Sequence, residues 1–171
     1  MSRRVLFFGL GNPGRGDDGL GPALAELIEG RRIPGVTVDA DYQLTVEDSV
    51  AVAEHDLVVF ADADATGPAP CSLVAVPPSA GGVGFSTHGA EPGGVLLIAA
   101  HAFDRRPEAW LLGIRGYEFD LSDRLTPGAR ANLALAVLYF QHIAVAIPQL
   151  RQQRQWVVVV DETHPLPGLE R

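Results

Sequence analysis

The chain opens with the sequence RVLFFGLGNPGRGDDGLG at residues 4–21. An apolar run from Val5 to Phe8 leads directly into a series of glycines, which is typical of a strand that is buried on both faces and ends in a tight loop. Pro22 then predicts a nearby helix start, because proline is tolerated only in the first turn of a helix. A strand, a glycine-rich loop and a helix in this order indicate an α/β protein.

The alternation of strand and helix continues along the chain. We predict strands at 4–10, 36–42, 57–61, 72–76 and 109–114, and helices from about Pro22 to Gly30, after a capping box at Thr45–Asp48, at 93–103, and from Thr126-Pro127 to about Ile147. This order predicts a single α/β domain at residues 1–150, built as a three-layer α/β/α sandwich around a mostly parallel sheet of about five strands. Residues 151–171 are predicted to be a C-terminal appendage with an edge strand near Val157–Val160 and a tail.

Composition restricts the functional class. The 171 residues carry 13 Lys plus Arg against 21 Asp plus Glu, a net charge of −8 that disfavours nucleic acid as a partner. The single cysteine, Cys71, excludes a disulfide framework within the chain. The apolar run at 5–8 is too short for a signal peptide, and the uncharged stretch at 131–150 is alanine-rich and contains Asn132, which favours a buried helix over a membrane span. We therefore expect a cytoplasmic protein.

Three acidic or imidazole groups follow predicted strands. Asp18 follows the first strand, Asp62 the third, and His88 lies in a glycine-rich stretch at 77–92 after the fourth. Ligands of open α/β sheets bind outside the carboxyl ends of the strands. If the first and third strands are neighbours, the two carboxylates meet there and the loop can bring His88 to them. Such a nitrogen and oxygen ligand set suits a borderline divalent metal and leaves open positions, but it does not select zinc, nickel or manganese.

Each of these residues also has a purely structural interpretation. Asp17 and Asp18 fit the stabilisation of a helix dipole, Asp62 and Asp64 fit the solvation of a loop, and His88 fits an ordinary surface histidine. A nucleotide site is a further alternative, because residues 9–14 match G-x-G-x-x-G and Asp39 and Asp41 lie where a ribose-binding acid is expected. Against it, a proline interrupts the motif and two closely following carboxylates would repel a pyrophosphate.

Rival catalytic sets are absent from the sequence. Cys71 has no histidine near it, and no G-x-S-x-G nucleophile elbow occurs. The remaining histidines lack metal-ligand spacing with one another; they are His55, His101, His142 and His164.

The ordered set of motifs resembles the hydrogenase maturation endopeptidases over roughly residues 4–147. The matching segments are Gly11-Asn12, Asp17-Asp18-Gly19-Leu20-Gly21, Phe60-Ala61-Asp62-Ala63, the loop residue His88, Gly113-Ile114 and Leu125-Thr126-Pro127. The resemblance implies an α/β/α sandwich around a twisted sheet. It also implies a protease that removes a short C-terminal extension from the large-subunit precursor of a nickel–iron hydrogenase after nickel insertion.

The resemblance further implies the site. Asp18, Asp62 and His88 take the catalytic and metal-contacting positions, and Asp17 is a supporting residue. Nickel would come with the substrate precursor, and no tightly bound cofactor is expected in the enzyme. The chemistry stays open between a metal-activated water and a carboxylate acting as general base.

The sequence also departs from the family pattern. Residues 41–45 read DYQLT where many members have a glycine-rich segment, and Asp18 stands where some carry glutamate. Together with residues 116–119, the segment at 42–44 suggests the branch that serves cytoplasmic NAD-linked hydrogenases. Two other functions remain as alternatives: a non-catalytic docking protein that inspects a nickel-loaded precursor, and a peptidyl-tRNA hydrolase-like enzyme. The latter fits poorly, because its early histidine is missing and the pI is about 5.0.

Overall fold

The computed structural model describes residues 3–79, 90–150 and 155–156, the side chains of 143–150 and 155–156 excepted. Its strands are β1 (Val5–Leu10), β2 (Val36–Asp41), β3 (Leu57–Asp64), β4 (Cys71–Ala75), β5 (Glu108–Arg115) and β6 (Gln155–Trp156). Its helices are α1 (Leu20–Gly30), which follows a 3-10 turn at Gly16–Gly19, α2 (Asp48–Glu54), α3 (Pro92–Phe103) and α4 (Pro127–Leu150).

One sheet contains all six strands in the order β2-β1-β3-β5-β4-β6. The first four of these run parallel, whereas β4 is antiparallel to both β5 and β6. The predicted α/β sandwich with a mostly parallel sheet of about five strands is therefore confirmed, with the two-residue β6 added at one edge. The division into a domain at 1–150 and an appendage at 151–171 stays a prediction, and Val157–Val160 lie outside the described residues.

Helices cover both faces of the sheet. α1 and α4 pack together on one face, where Phe7 meets Phe140 edge to face at 4.7 Å between ring centroids. α2 and α3 cover the other face over a second apolar cluster that includes Phe8 and Phe60. Because β1 lies between two parallel strands and two helix layers, all six of its residues are buried, as its continuous apolar run predicts.

Two element boundaries differ from the predicted ones in ways that affect the site. α1 begins at Leu20, so Pro22 is its third residue and still lies in the first turn. β3 does not end before Asp62 but continues to Asp64, because β5 pairs with it along its full length, with Asp62 opposite Gly113. Asp62 therefore lies within the last residues of the strand and not in the loop after it.

The helix predicted from Thr126-Pro127 begins as expected. The Thr126 hydroxyl accepts a hydrogen bond from Ala129 N at 3.2 Å, which satisfies one of the free amides of the first turn of α4. Burial of α4 is confined to one face, since Leu135 and Leu138 on the other are exposed. Within the ranges that the structure describes, no helix is long and apolar enough to cross a membrane.

Candidate active site

Two carboxylates lie where the order of the sheet reverses. The chain passes from β1 to β2 on one side of β1 and then to β3 on the other, so the switch point lies between β1 and β3. Asp18 lies in the 3-10 turn that follows β1, and Asp62 lies near the carboxyl end of β3. The first and third strands are neighbours, which is the condition under which the two carboxylates were expected to meet. Ligands of open α/β sheets bind at such a point.

Glycines allow the first loop to approach the sheet closely. A Cβ atom on Gly21, in the first turn of α1, would overlap the carbonyl oxygens of Leu10 and Ala61, so α1 starts directly against the ends of β1 and β3. Gly11 has φ +133° and lies under the Asp18 carbonyl, a conformation that favours glycine. The glycine spacing therefore serves close packing, and α1 begins six residues after Gly14, later than the dinucleotide motif requires.

The carboxylate of Asp18 is held on one side only. Its Oδ2 accepts a hydrogen bond from Asn12 N at 2.9 Å, and the side chain is partly exposed. Within the described part of the chain, Oδ1 of Asp18 has no hydrogen bond. One oxygen is thus fixed by the backbone of the first loop, whereas no described residue donates to the other.

Asp62 has a strongly perturbed ionisation. Burial is the main cause, and the charges of Asp18 and Asp64 add to it, so that the pKa rises to about 6 even though Ala63 N donates to Asp62 Oδ1 at 2.8 Å. The charge of Asp18 contributes to this rise, so its carboxylate lies near enough to Asp62 to disfavour the charge of Asp62. A positive charge placed between them would relieve this cost, and a carboxyl group with a pKa near 6 is also suited to proton transfer near neutral pH.

The two adjacent acids of the first loop point to different places. Asp17 is 0% exposed and accepts hydrogen bonds from the loop between β5 and α4, whereas Asp18 lies with Asp62. Burial opposes the charge of Asp17, but the hydrogen bonds from Thr126, Tyr117 and Glu118 outweigh it and lower the pKa. Asp17 therefore stays ionised in the folded protein and does not share the exposed site.

Sequence reasoning did not single out Arg115, whose charge acts on Asp64. It lies opposite Asp64 at the carboxyl end of β5, donates from NH1 to Gly67 O at 2.9 Å, and lies over the Tyr117 ring at 5.3 Å from its centroid. Asp64 also accepts hydrogen bonds from Thr66 N and Gly67 N at 2.9 and 2.7 Å. The hydrogen bonds of Thr66, with a contribution from the charge of Arg115, lower the pKa of Asp64. The carboxylate of Asp64 is thus bound by the loop that follows β3. Asp18 and Asp62 are therefore the two acids that we consider as the candidate site.

His88 lies outside the described residues, so its place in the site stays a prediction. The reason given for it was wrong in one respect. β4 runs antiparallel to β5, so its last residue, Ala75, lies opposite Trp110 and away from the carboxyl ends of β1 and β3. After the undescribed segment, Ala90 N donates to Leu44 O at 2.8 Å, and Leu44 follows the carboxyl end of β2. The chain has therefore returned to the edge with the carboxylates two residues after His88.

The other reactive side chains have structural roles or lie apart. Burial raises the pKa of the Cys71 thiol to about 12, which keeps it protonated. The ring of His55 bonds to Ala51 O at 2.7 Å and to the Thr37 hydroxyl at 3.0 Å, while His101 and His142 are exposed on helices. In the portion that the structure covers, no group of three or more His, Cys, Asp or Glu residues is arranged to hold a metal ion. A three-residue site thus requires a side chain from beyond these residues, as His88 would be.

A separate cleft of about 290 Å³ includes neither Asp18 nor Asp62 among its lining residues. Its lining residues come from the first loop, α1 and the β5–α4 loop; they are Pro13, Gly16, Gly19, Pro22, Ala23, Glu26, Asp123 and Leu125.

Comparison with solved structures agrees on the fold. The NiFe hydrogenase maturation protease HycI from Thermococcus kodakarensis KOD1 matches with a TM-score of 0.66 and 22% identity, over 84% of this chain and 93% of that one. The hydrogenase maturating endopeptidase HybD from E. coli matches with a TM-score of 0.62 and 21% identity, over 85% and 93%. A hydrogenase 2 maturation peptidase from Thaumarchaeota archaeon SCGC_AB-539-E09 matches with a TM-score of 0.61 and 23% identity, over 84% of this chain and 99% of that one.

No protein-family model matches the sequence, and no curated protein matches it. The chain nevertheless spans nearly the whole length of the three solved proteins, so the likeness covers a complete fold and not a shared fragment. The fold is that of the solved hydrogenase maturation proteases. The fold expected from the motif resemblance is thereby confirmed.

Proposed function

We propose that this protein is a maturation endopeptidase that removes a C-terminal extension from the large-subunit precursor of a nickel–iron hydrogenase. The observation that carries the proposal is the pairing of Asp18 and Asp62 at the switch point of this fold, with the pKa of Asp62 raised to about 6. A fold alone does not define a function. Support comes from Asp18 and Asp62, two of the positions that the resemblance implies, which follow the adjacent strands β1 and β3.

The site chemistry suits a metal ion that arrives with the substrate. Asp18 and Asp62 offer carboxylate oxygens, and one oxygen of Asp18 is unoccupied by hydrogen bonds from described residues. A cation removes the repulsion between the two carboxylates, so binding is favoured by the same charges that raise the pKa of Asp62. With His88 as third ligand, the set would be two oxygens and one nitrogen, which suits nickel and leaves positions for the groups of the precursor.

Recognition of the loaded metal would then control cleavage. A precursor without nickel would meet two mutually repelling carboxylates, whereas a nickel-loaded precursor would be held with its scissile peptide nearby. The attacking water would be activated either by the metal or by a carboxylate as general base. Asp62 is the candidate base, because its raised pKa makes the carboxylate more basic near neutral pH.

The cellular setting follows from the same proposal. The proposed partner is the precursor protein. The net charge of −8 disfavours nucleic acid as a partner, and none of the described helices is long and apolar enough to cross a membrane. The processing would take place in the cytoplasm, where hydrogenase precursors of the NAD-linked class are proposed as the substrates.

Asp18→Asn separates cleavage from docking. We expect this variant to lose more of its turnover than of its precursor binding, because the amide still fills the space of the carboxylate but lacks its charge. Asp104→Asn is the matched control: Asp104 is exposed after α3, away from the site, and asparagine tolerates its left-handed conformation. Binding by the parent protein without turnover under any nickel loading would instead indicate a docking protein.

A further inference from the structure

The carboxylate of Asp17 is completely buried and is surrounded by donors from a distant part of the chain. Oδ2 accepts from Tyr117 N at 2.7 Å, from Glu118 N at 3.1 Å and from the Thr126 hydroxyl at 2.8 Å. Oδ1 accepts from Thr126 N at 2.7 Å. Four donors, all from the loop between β5 and α4, thus converge on one side chain of the first loop.

Only a carboxylate satisfies this arrangement. Both oxygens of Asp17 face backbone N–H groups, so an asparagine would place its NH₂ against a backbone donor whichever way the amide is turned. A buried donor left without an acceptor is costly, and in this case the lost hydrogen bond would weaken the contact between the first loop and the β5–α4 loop. Position 17 therefore requires two hydrogen-bond acceptors, and the two carboxylate oxygens of aspartate supply them.

The same contact fixes the backbone next to Asp18. Asp17 N donates to Glu118 O at 2.8 Å, Gly16 N donates to Ser122 O at 2.8 Å, and Ser122 N donates to Gly14 O at 3.1 Å. The segment that precedes Asp18 is thus attached to the β5–α4 loop by both backbone and side chain. Asp18 follows this attached segment directly, and its Oδ2 accepts from Asn12 N.

We propose that Asp17 is a positioning residue that sets the place of the Asp18 carboxylate by anchoring the first loop to Thr126 and to the backbone of the β5–α4 loop. The role of Asp18 rests on the proposed function, but the anchoring itself does not. Thr126 links two tasks, since its hydroxyl donates to Asp17 and accepts from Ala129 N at the start of α4. These hydrogen bonds therefore hold the first loop together with the end of β5 and the start of α4.

The test uses variants on both sides of the contact. Asp17→Asn and Thr126→Val remove the match between acceptor and donor, whereas Thr126→Ser keeps the hydroxyl. Thr37→Val is the matched control. Thr37 lies on the edge strand β2, away from the site, and the change removes a hydroxyl that hydrogen-bonds to the ring of His55. The amide signal of Asn12 in ¹H–¹⁵N spectra of the full chain reports the Asp18 carboxylate without any need for activity.

We expect the Asn12 signal to move in Thr126→Val and in Asp17→Asn, to return in Thr126→Ser, and to stay in place in Thr37→Val. Precursor cleavage by Thr126→Val should lose kcat on the order of ten- to a hundredfold with KM little changed, because misplacement of a reacting group acts on turnover. Asp17→Asn combined with Thr126→Val should cost less than the sum of the two single changes.

An unmoved Asn12 signal in folded Thr126→Val would overturn the proposal, as would a loss of turnover that Thr126→Ser does not restore. If Asp17→Asn does not fold, Thr126→Val alone decides. If the parent protein cleaves no precursor, the proposed function fails while the Asn12 signal still decides whether Asp17 positions Asp18.

Discussion

Replacing Asp62 by asparagine should stabilise the folded protein at neutral pH, although Asp62 is a candidate catalytic residue. Burial, together with the charges of Asp18 and Asp64, raises the pKa of Asp62 from 3.8 to about 6. The folded state therefore binds the proton more tightly than the unfolded chain. The favourable contribution is fully present below the unfolded pKa of 3.8 and is lost as the pH rises through about 6.

The interval from 3.8 to about 6 sets the size of the effect. At about 1.4 kcal/mol per pKa unit, the buried charge costs about 3 kcal/mol at pH ~8 and about half of that at pH ~5. Asparagine removes this cost and keeps a carbonyl oxygen for the hydrogen bond from Ala63 N. Urea unfolding of the parent and Asp62→Asn at the two pH values measures the difference.

Asp64→Asn is the matched control, because it changes the same residue type two positions further along β3. Hydrogen bonds from Thr66 and Gly67 lower the pKa of Asp64, so its replacement should destabilise the protein at neutral pH, and by less as the pH falls. An Asp62→Asn protein that is no more stable than its parent at pH ~8 would refute the reasoning, as would a stability difference that is the same at both pH values.

Three further changes test the site and the fold. His88→Ala should abolish precursor processing and leave the cooperative thermal transition in place; an unchanged processing rate would remove His88 from the site. Gly21→Ala should lower the free energy of unfolding by about 2–3 kcal/mol, because its methyl group meets two strand carbonyls, whereas Gly30→Ala, which meets nothing within 4 Å, should change it by less than about 1 kcal/mol. Equal stabilities of these two variants would contradict the close packing of α1. Deletion of residues 151–171 should preserve cooperative melting, and its loss would show that this segment is integral to the sheet.

Local patterns in the sequence were sufficient for most of the framework. The apolar runs of β1 and β5 and the alternation of β2 placed these strands within one residue of their observed bounds. Asp18 and Asp62 follow the adjacent parallel strands β1 and β3, as the argument from the sheet edge required, and their joint role stays a prediction. β1 and β5 were accessible because burial on both faces leaves a direct mark on the composition of a strand.

The direction of β4 was missed, although a signal for it was present. Only six residues join Asp64 to Cys71, whereas a parallel return to the same end of the sheet needs a dozen or more. The chain therefore enters β4 at the edge where β3 ends, and β4 must run the other way. The length of that connection indicates that β4 ends away from the carboxylates, so following the fourth strand does not by itself place His88 near them.

The different fates of Asp17 and Asp18 could not be predicted from the sequence. Neighbouring residues in a 3-10 turn project about 120° apart, so two adjacent acids need not serve one site. The partners of Asp17 lie about a hundred positions away, at Tyr117, Glu118 and Thr126, and no local pattern joins them to the first loop. The raised pKa of Asp62 likewise depends on burial that only the folded chain creates.

The central claim is tested most directly by the intact mass of a purified hydrogenase large-subunit precursor after incubation with this protein, with and without nickel loaded. The account predicts the loss of one discrete C-terminal peptide from the nickel-loaded precursor and no cleavage of the nickel-free form. Binding without cleavage of any cognate precursor would contradict the protease assignment and favour a docking role. Absence of binding as well would reopen the nucleotide hypothesis for the first loop.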